Sequence, residues 1–293
     1  MTLFTSEDGR RALLEWYERF HARLQVATAR RVVPTRFGET HVLIAGPEDG
    51  PPVVLLHGAL ASSAHLLGEL QGLARRFRVY AVDVVGQSVK SADTQPSVAD
   101  GAYGYWVQDV LDALALRTVS LVGVSWGGFV CLRFVALAPT RVERLALLVP
   151  AGVVNGPLWA GFSKVFWPIQ RYRWSPTPAR LAAATRHLLT THDDDWVPYL
   201  GVALTAFTPN MKIPRRATPD ELAALTAPVL VVAADGDLSF PGEPLLARAR
   251  QLFRGPLETE LLEGVRHSPP TTDAFRQWMT GRLERFLTGG GGA

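Results

Sequence analysis

A chain of 293 residues that is 47% apolar and 19% charged can bury a sizeable core, and its formal net charge of +3, with basic residues scattered among acidic ones, argues against a nucleic-acid partner. The longest apolar run, Leu145 to Val154, is too short to span a bilayer and is interrupted by Pro150, so no membrane span is expected. Cys131 is the only cysteine, which excludes an internal disulfide framework, and Met1 to Arg11 lacks the basic start and apolar centre of a signal peptide, so a cytoplasmic location is expected.

From about Ser6 to Ala29, Leu13, Trp16, Tyr17, Phe20 and Leu24 fall on one helical stripe. Two short β-type runs follow, Arg31 to Phe37 and Thr40 to Ala45, with Gly38 at the turn of an expected hairpin. The chain then alternates. Strand-like runs lie at Pro52–His57, Arg78–Asp83, Val119–Gly123, Arg144–Val149, Pro228–Ala233 and Leu257–Leu262. Most are apolar at nearly every position, as strands buried on both faces of a parallel sheet must be. Helix-like stretches at about 63–75, 104–115, 127–138, 243–253 and 270–287 separate or follow them. This alternation predicts an α/β layered fold with a mostly parallel sheet. Only residues 153–225 break the rhythm, with many Pro, Trp and Leu residues and no convincing strand. A structureless loop of that length is improbable, so a helical cap is expected there, inserted after the sixth strand. The core is then 1–152 with 226–288, and 289–293 reads as a flexible Gly-rich tail.

The strongest local signal is Gly123-Val124-Ser125-Trp126-Gly127, between the apolar strand Val119–Val122 and a helix. A sharp strand-to-helix turn presents the Ser125 hydroxyl above the sheet, and the flanking glycines remove Cβ atoms that would collide in so tight a bend. The helix N-terminus favours negative charge developing at a reacting carbonyl. A serine hydroxyl needs a base. His267 lies in the loop after the last strand, where it would overhang the strand ends. An acid must hold the imidazole, and Asp235 and Asp237 both occupy the loop after the strand at 228–233. Backbone N–H groups of Trp126 and Ala59, with Leu60 as the alternative to Ala59, are the expected oxyanion donors; losing one such donor costs about 3 kcal/mol in barrier height. His57 precedes that loop and reads as a residue that shapes it. Cys131, six residues after Ser125, reads as a buried, inert thiol.

Together these residues resemble the α/β-hydrolase superfamily over roughly residues 35–287. The resemblance rests on His57-Gly58, Asp83 with Gly86, the turn around Ser125, Asp237 with Pro241, and Gly264 with His267. It implies Asp237 as the acid, because the family's acid stands four residues before a proline. The chain departs from the family at Ser88, where a glycine is common. A narrower resemblance, to bacterial intracellular carboxylesterases including those that cleave arylpropionate esters, is carried by Thr35–Val42, Gly46–Asp49, His57–Leu60, Asp83–Gly86 and Lys90-Ser91. It implies cleavage of a small-molecule carboxylic ester through an acyl-enzyme, without a cofactor, by a monomer or homodimer. The same triad could act on a thioester, amide, lactone or carbon–carbon bond, and a non-catalytic ligand-binding homologue is the alternative outside catalysis.

Trp159, Phe162, Phe166 and Trp167 in the expected cap, with Leu60, are candidates for an apolar acyl or alcohol pocket; the alternative is that they pack the cap onto the core. His187, His192 and Asp193–Asp195 resemble a metal set only superficially. The two histidines are five apart, off one helical face, and the acidic trio could cap a helix, so no metal is expected.

Overall fold

A run such as Val53-Val54-Leu55-Leu56 leaves no polar face to turn toward water, so its strand must lie between two layers. The computed structural model, which describes residues 3–208 and 212–290, has this arrangement. Eight strands form one sheet: β1 (Thr28–Thr35), β2 (Gly38–Ala45), β3 (Pro52–Leu56), β4 (Arg78–Val82), β5 (Val119–Val124), β6 (Val142–Leu148), β7 (Val229–Ala234) and β8 (Leu257–Leu262). Their order is β1-β2-β4-β3-β5-β6-β7-β8. β1 and β2 form the expected hairpin, with Thr35 opposite Gly38, and β2 runs antiparallel to β4; the remaining pairs are parallel.

The helices of the core are α1 (Glu7–Ala22), α2 (Ser63–Leu70), α3 (Ala102–Ala113) and α4 (Trp126–Leu137), all before the segment joining β6 to β7. That segment holds α5 (Leu158–Gly161), a π-helical turn at Phe162–Phe166, α6 (Trp167–Trp174), α7 (Pro178–Thr185) and α8 (Trp196–Ala206). After it come α9 (Gly242–Leu252) and α10 (Asp273–Leu287). Alternate residues of β3 feed the two layers. Val54 and Leu56 pack with α3, α4 and α9, whereas Val53 and Leu55 pack with α1, α2, α8 and α10. The α/β-hydrolase architecture expected from the sequence is thus the observed one, and the sheet's two buried faces account for its uninterrupted apolar strands.

The departures are local. α1 stops at Ala22 and β1 begins at Thr28, each several residues earlier than expected, and in the chain between them the Gln25 N–H donates to the Gln71 side chain at 2.7 Å. The expected helix at 63–75 is α-helical to Leu70 and then tightens to a 3₁₀ turn, Gln71–Arg75. β8 is only partly buried and carries Glu258 and Glu260 on one face; both carboxylates pair with Arg282 of α10, which suits the edge of a sheet. Within the segment 153–225 the described residues form helices and no strand of more than a single bridge. The π turn ends two residues before Pro168, whose ring would otherwise clash with a carbonyl one turn back. At the C-terminus, Gly289 and Gly290 donate back to the carbonyls of Phe286 and Arg285, closing α10; Gly291, Gly292 and Ala293 of the expected tail lie outside the described residues. No helix among the described residues is long and apolar enough to cross a membrane.

Candidate active site

Sheet order sets the location. β3 has β4 on one side and β5 on the other, so the crossovers diverge there and leave a crevice beyond the carboxyl ends of β3 and β5. Ser125 directly follows β5 at that crevice. Its backbone stands at φ 50°, ψ −111°, a conformation that L-residues rarely adopt and that costs on the order of 1–3 kcal/mol. Neighbours fix it there: its N–H donates to the Leu148 carbonyl, and its own carbonyl accepts from Gly128 and Ala151, all at 2.9 Å. A Cβ on Gly123 would come within 2.6 Å of the Gly127 carbonyl and 2.7 Å of the Cys131 sulfur. One on Gly127 would run into the Leu56 carbonyl. Only glycine fits either position. Cys131 lies wholly buried behind this turn, and burial pushes its thiol pKa far up.

The Ser125 Oγ is 2.9 Å from His267 Nε2, and His267 Nδ1 is 2.7 Å from Asp237 Oδ2. With the carboxylate ionised, Nδ1 carries the proton and donates to it, leaving Nε2 as the acceptor facing the serine. Asp237 is 2% exposed, and its other oxygen accepts the N–H groups of Ser239 (2.7 Å) and Phe240 (3.1 Å). Burial disfavours a charged His267, but the Asp237 charge and hydrogen bond outweigh it and raise the histidine's pKa above the usual value. The Phe240 ring stands edge-on to the imidazole, with centroids 5.3 Å apart. Asp235, in the same loop, is exposed and accepts the Gly264 N–H at 3.0 Å. The structure therefore brings Ser125, His267 and Asp237 together and leaves Asp235 aside.

Opposite the serine is the loop after β3. A Cβ on Gly58 would lie 3.4 Å from the Ser125 Cβ, so the backbone of this loop borders the hydroxyl closely. Ala59 is exposed, and Leu60 is half-buried at φ 59°. His57, 1% exposed, pins the loop as the sequence suggested: Nδ1 lies 2.7 Å from the Gly58 carbonyl, while Nε2 accepts the Val84 N–H at 2.9 Å. That pattern requires a neutral ring with its proton on Nδ1, and burial accordingly lowers its pKa. Trp126 begins α4, where the first-turn N–H groups have no intrahelical acceptor.

Two supporting groups escaped sequence reasoning. Tyr199 of α8 donates its hydroxyl to the Leu60 carbonyl, tying the segment between β6 and β7 to the loop after β3. Asp83, fully buried at the end of β4, accepts from the Ser63 N–H (2.9 Å), the Ser63 hydroxyl (2.6 Å) and the Ser88 hydroxyl (2.5 Å), and pairs with His41 Nδ1 (2.9 Å). Burial opposes its charge, yet the His41 hydrogen bond, nearby His57 and the Ser63 hydroxyl more than compensate, so its carboxyl sits below the usual carboxylate range. Ser88, the departure from the family pattern, is thus one of the donors. The Asp83–Gly86 run was the available signal, but it named no partner.

The aromatic residues assigned to a pocket are distributed otherwise. Trp159 is 77% exposed, Phe162 and Trp167 are also exposed, and only Phe166 and Leu60 are half-buried. Neither an enclosing pocket wall nor packing against the core describes Trp159, because its ring stacks on Phe162 at the surface. Two of the acidic trio have structural partners: Asp193 accepts the N–H groups of Trp196 (2.5 Å) and Asp195 (3.0 Å) at the start of α8, and Asp195 pairs with Arg23.

A mostly parallel sheet with a strained serine at the switch of strand order and a hydrogen-bonded histidine and aspartate behind it defines an α/β-type hydrolase. The sequence pattern of the alpha/beta hydrolase fold family matches residues 51–187. Carboxylesterase YbfK of Bacillus subtilis (strain 168) is 30% identical over 269 residues, 88% of this chain and 87% of its own length. The chain belongs to the α/β-hydrolase family, among relatives that are carboxylesterases. In fold it is similar to the crystal structure of naproxen esterase (carboxylesterase NP) from Bacillus subtilis, with a TM-score of 0.81 and 24% identity over 96% of this chain and 99% of that one. Carboxylesterase CesB (YbfK) from the same organism superposes with a TM-score of 0.80, 24% identity and the same coverage.

Proposed function

We propose that the protein hydrolyses carboxylic esters of small molecules through an acyl-enzyme formed on Ser125. His267 Nε2 takes the hydroxyl proton as Oγ attacks the ester carbonyl. The Asp237 carboxylate holds the ring and stabilises the imidazolium. The oxyanion is met by the backbone N–H groups of Trp126 and Ala59. Collapse expels the alcohol, which takes the proton from His267. Water then repeats the sequence on the acyl-enzyme, and the acid leaves with Ser125 restored.

The observation that carries this reading is the pair of hydrogen bonds joining residues 125, 267 and 237, which are far apart in sequence. Residues 153–225 serve as a helical cap. Its first residues meet the acid loop, where the Gly156 N–H donates to the Ser239 carbonyl, and Thr190 donates to Ser268 beside the base. Leu60 and Phe166 are the half-buried candidates for the acyl or alcohol side of the cleft. A monomer or homodimer in the cytoplasm completes the proposal; the free, buried Cys131 thiol is compatible with a reducing compartment. Ser125→Ala is expected to lower turnover of p-nitrophenyl butyrate by about 10,000-fold or more with the fold retained. It should also abolish labelling by a fluorophosphonate probe. Undiminished turnover in this variant would refute the assignment.

A further inference from the structure

The run from Leu158 to Trp174 carries six aromatic rings, of which Tyr172 is buried and Phe166 half-buried while the other four face outward. Besides Trp159, the ring of Trp174 is 70% exposed, and Phe162 and Trp167 are exposed as well. Trp159, Phe162 and Phe166 form a ladder with centroids 6.1 and 5.5 Å apart, and Trp167 meets Trp174 edge-on at 5.5 Å. Single exposed apolar residues need no explanation, but a contiguous aromatic face marks an interaction site.

Charge narrows the partner. Between Glu143 and Asp193 the chain has no acidic residue, while Arg144, Lys164, Arg171, Arg173, Arg180 and Arg186 are all basic. Arg173 turns inward to the Leu204 and Phe207 carbonyls, and Arg180 reaches the Ser175 carbonyl. Lys164, Arg171 and Arg186 are exposed and make no ion pair among the described residues. A partner must accept aromatic rings and cations side by side. Tryptophan and phenylalanine with Lys and Arg, and no carboxylate, is the composition of a helix that lies in the headgroup region of an anionic bilayer. A second copy of this chain fits less well, since a twofold contact through this face would set the same three cations against one another.

We propose that residues 158–174 dock the protein on an anionic lipid surface, with the exposed rings in the headgroup layer and Lys164, Arg171 and Arg186 against lipid phosphates. The segment leaves the Asp237 loop at Gly156 and returns to the His267 loop at Leu189, where Arg266 donates to the Arg186 and Leu189 carbonyls. Docking would therefore hold the serine crevice close to molecules dissolved in the membrane.

The test is co-sedimentation of the full chain with large unilamellar vesicles of phosphatidylglycerol and phosphatidylcholine (1:1) and of phosphatidylcholine alone. Binding to the mixed vesicles is expected to be at least about tenfold tighter and to weaken in high salt. Lys164→Glu with Arg171→Glu, and separately Trp174→Ala, should each reduce it about tenfold or more while hydrolysis of a soluble short-chain ester is unchanged. Absence of binding to the mixed vesicles overturns the proposal, as does binding indifferent to salt and to these substitutions. A concentration-dependent dimer seen by light scattering, lost in Trp174→Ala and unaccompanied by vesicle binding, would assign the face to a second copy instead. The salt series on the unaltered protein keeps the test decisive should a variant fail to fold. Because sedimentation requires no turnover, its outcome is independent of the ester reading.

Discussion

Asp235 and Asp237 stand two residues apart in one loop, and burial separates them. The Asp237 carboxylate is enclosed, accepts two backbone N–H groups and meets the imidazole, whereas Asp235 is exposed and spans only to the Gly264 N–H. Asp237→Asn is expected to lower kcat about 10,000-fold with little loss of structure, since the amide favours the wrong histidine tautomer. Asp235→Asn should leave kcat within about twofold. The pH profile supplies an independent reading. His267 must be neutral to accept a proton, so kcat/KM rises with pH through its pKa, and the raised pKa sets that limb above the usual value of about 6.5. Removing the Asp237 charge leaves burial as the dominant influence and moves the limb of the residual activity toward lower pH; Asp235→Asn should not move it. The same linkage makes the His267–Asp237 pair stabilise the fold fully below the unfolded histidine's pKa. That contribution is lost as pH rises through the raised folded value. Steady-state rates between pH 5 and 9 for the three proteins check the activity limbs, and urea unfolding over the same range checks the stability contribution.

At the scale of an element, the β5–α4 turn places a strained residue between two glycines, with no spare volume on either side. Gly127→Ala would drive a methyl group into the Leu56 carbonyl and to 2.9 Å from the His57 carbonyl, neither of which can move without displacing β3. The expected loss is about 3 kcal/mol or more in urea unfolding, with turnover abolished. Gly161→Ala is the matched control: φ is −59° in a helical segment with nothing near the new methyl, so the change should be neutral or stabilising by up to about 1 kcal/mol. This contrast also explains how much of the molecule was legible in its sequence. Strands buried on both faces must be apolar throughout, and a serine between close-packed backbones must have glycine beside it, so β3, β5, β6, β7 and the turn at Ser125 left plain marks. Asp237 over Asp235 was legible only through family spacing. The Asp83 cluster was not, because His41, Ser63 and Ser88 are ordinary polar residues brought together by β2, α2 and the loop after β4 rather than by any local pattern. The aromatic run at 158–174 misled in the other direction. Ring density normally signals burial, and nothing in the sequence distinguishes a ring facing a core from one facing outward.

For the molecule as a whole, the segment between β6 and β7 is joined to the loops that carry Asp237 and His267 and to the loop after β3. Gly156 meets the Asp237 loop, Thr190 and Leu188 hydrogen-bond the backbone of Ser268 beside His267, and Tyr199 holds the Leu60 carbonyl in the loop facing Ser125. The last of these links is the most testable. Leu60 stands at φ 59°, a conformation that a free leucine would leave, and its carbonyl is fixed from α8, whereas the Gly58 carbonyl is held by His57. Tyr199→Phe keeps the ring stacked on Trp196, with centroids 5.1 Å apart, and removes only the donor. If the Ala59 N–H must be aimed at a developing oxyanion, loosening its neighbour erodes transition-state stabilisation more than substrate binding. Complete loss of such a donor costs about 3 kcal/mol, so partial misalignment is expected to lower kcat roughly tenfold. KM should stay within about twofold, and stability should fall by about 1 kcal/mol for the lost hydrogen bond. Steady-state kinetics with p-nitrophenyl butyrate, alongside urea unfolding, separates the two effects. A destabilised variant with unchanged kcat would make Tyr199 a packing residue alone and release the loop after β3 from dependence on the inserted helices.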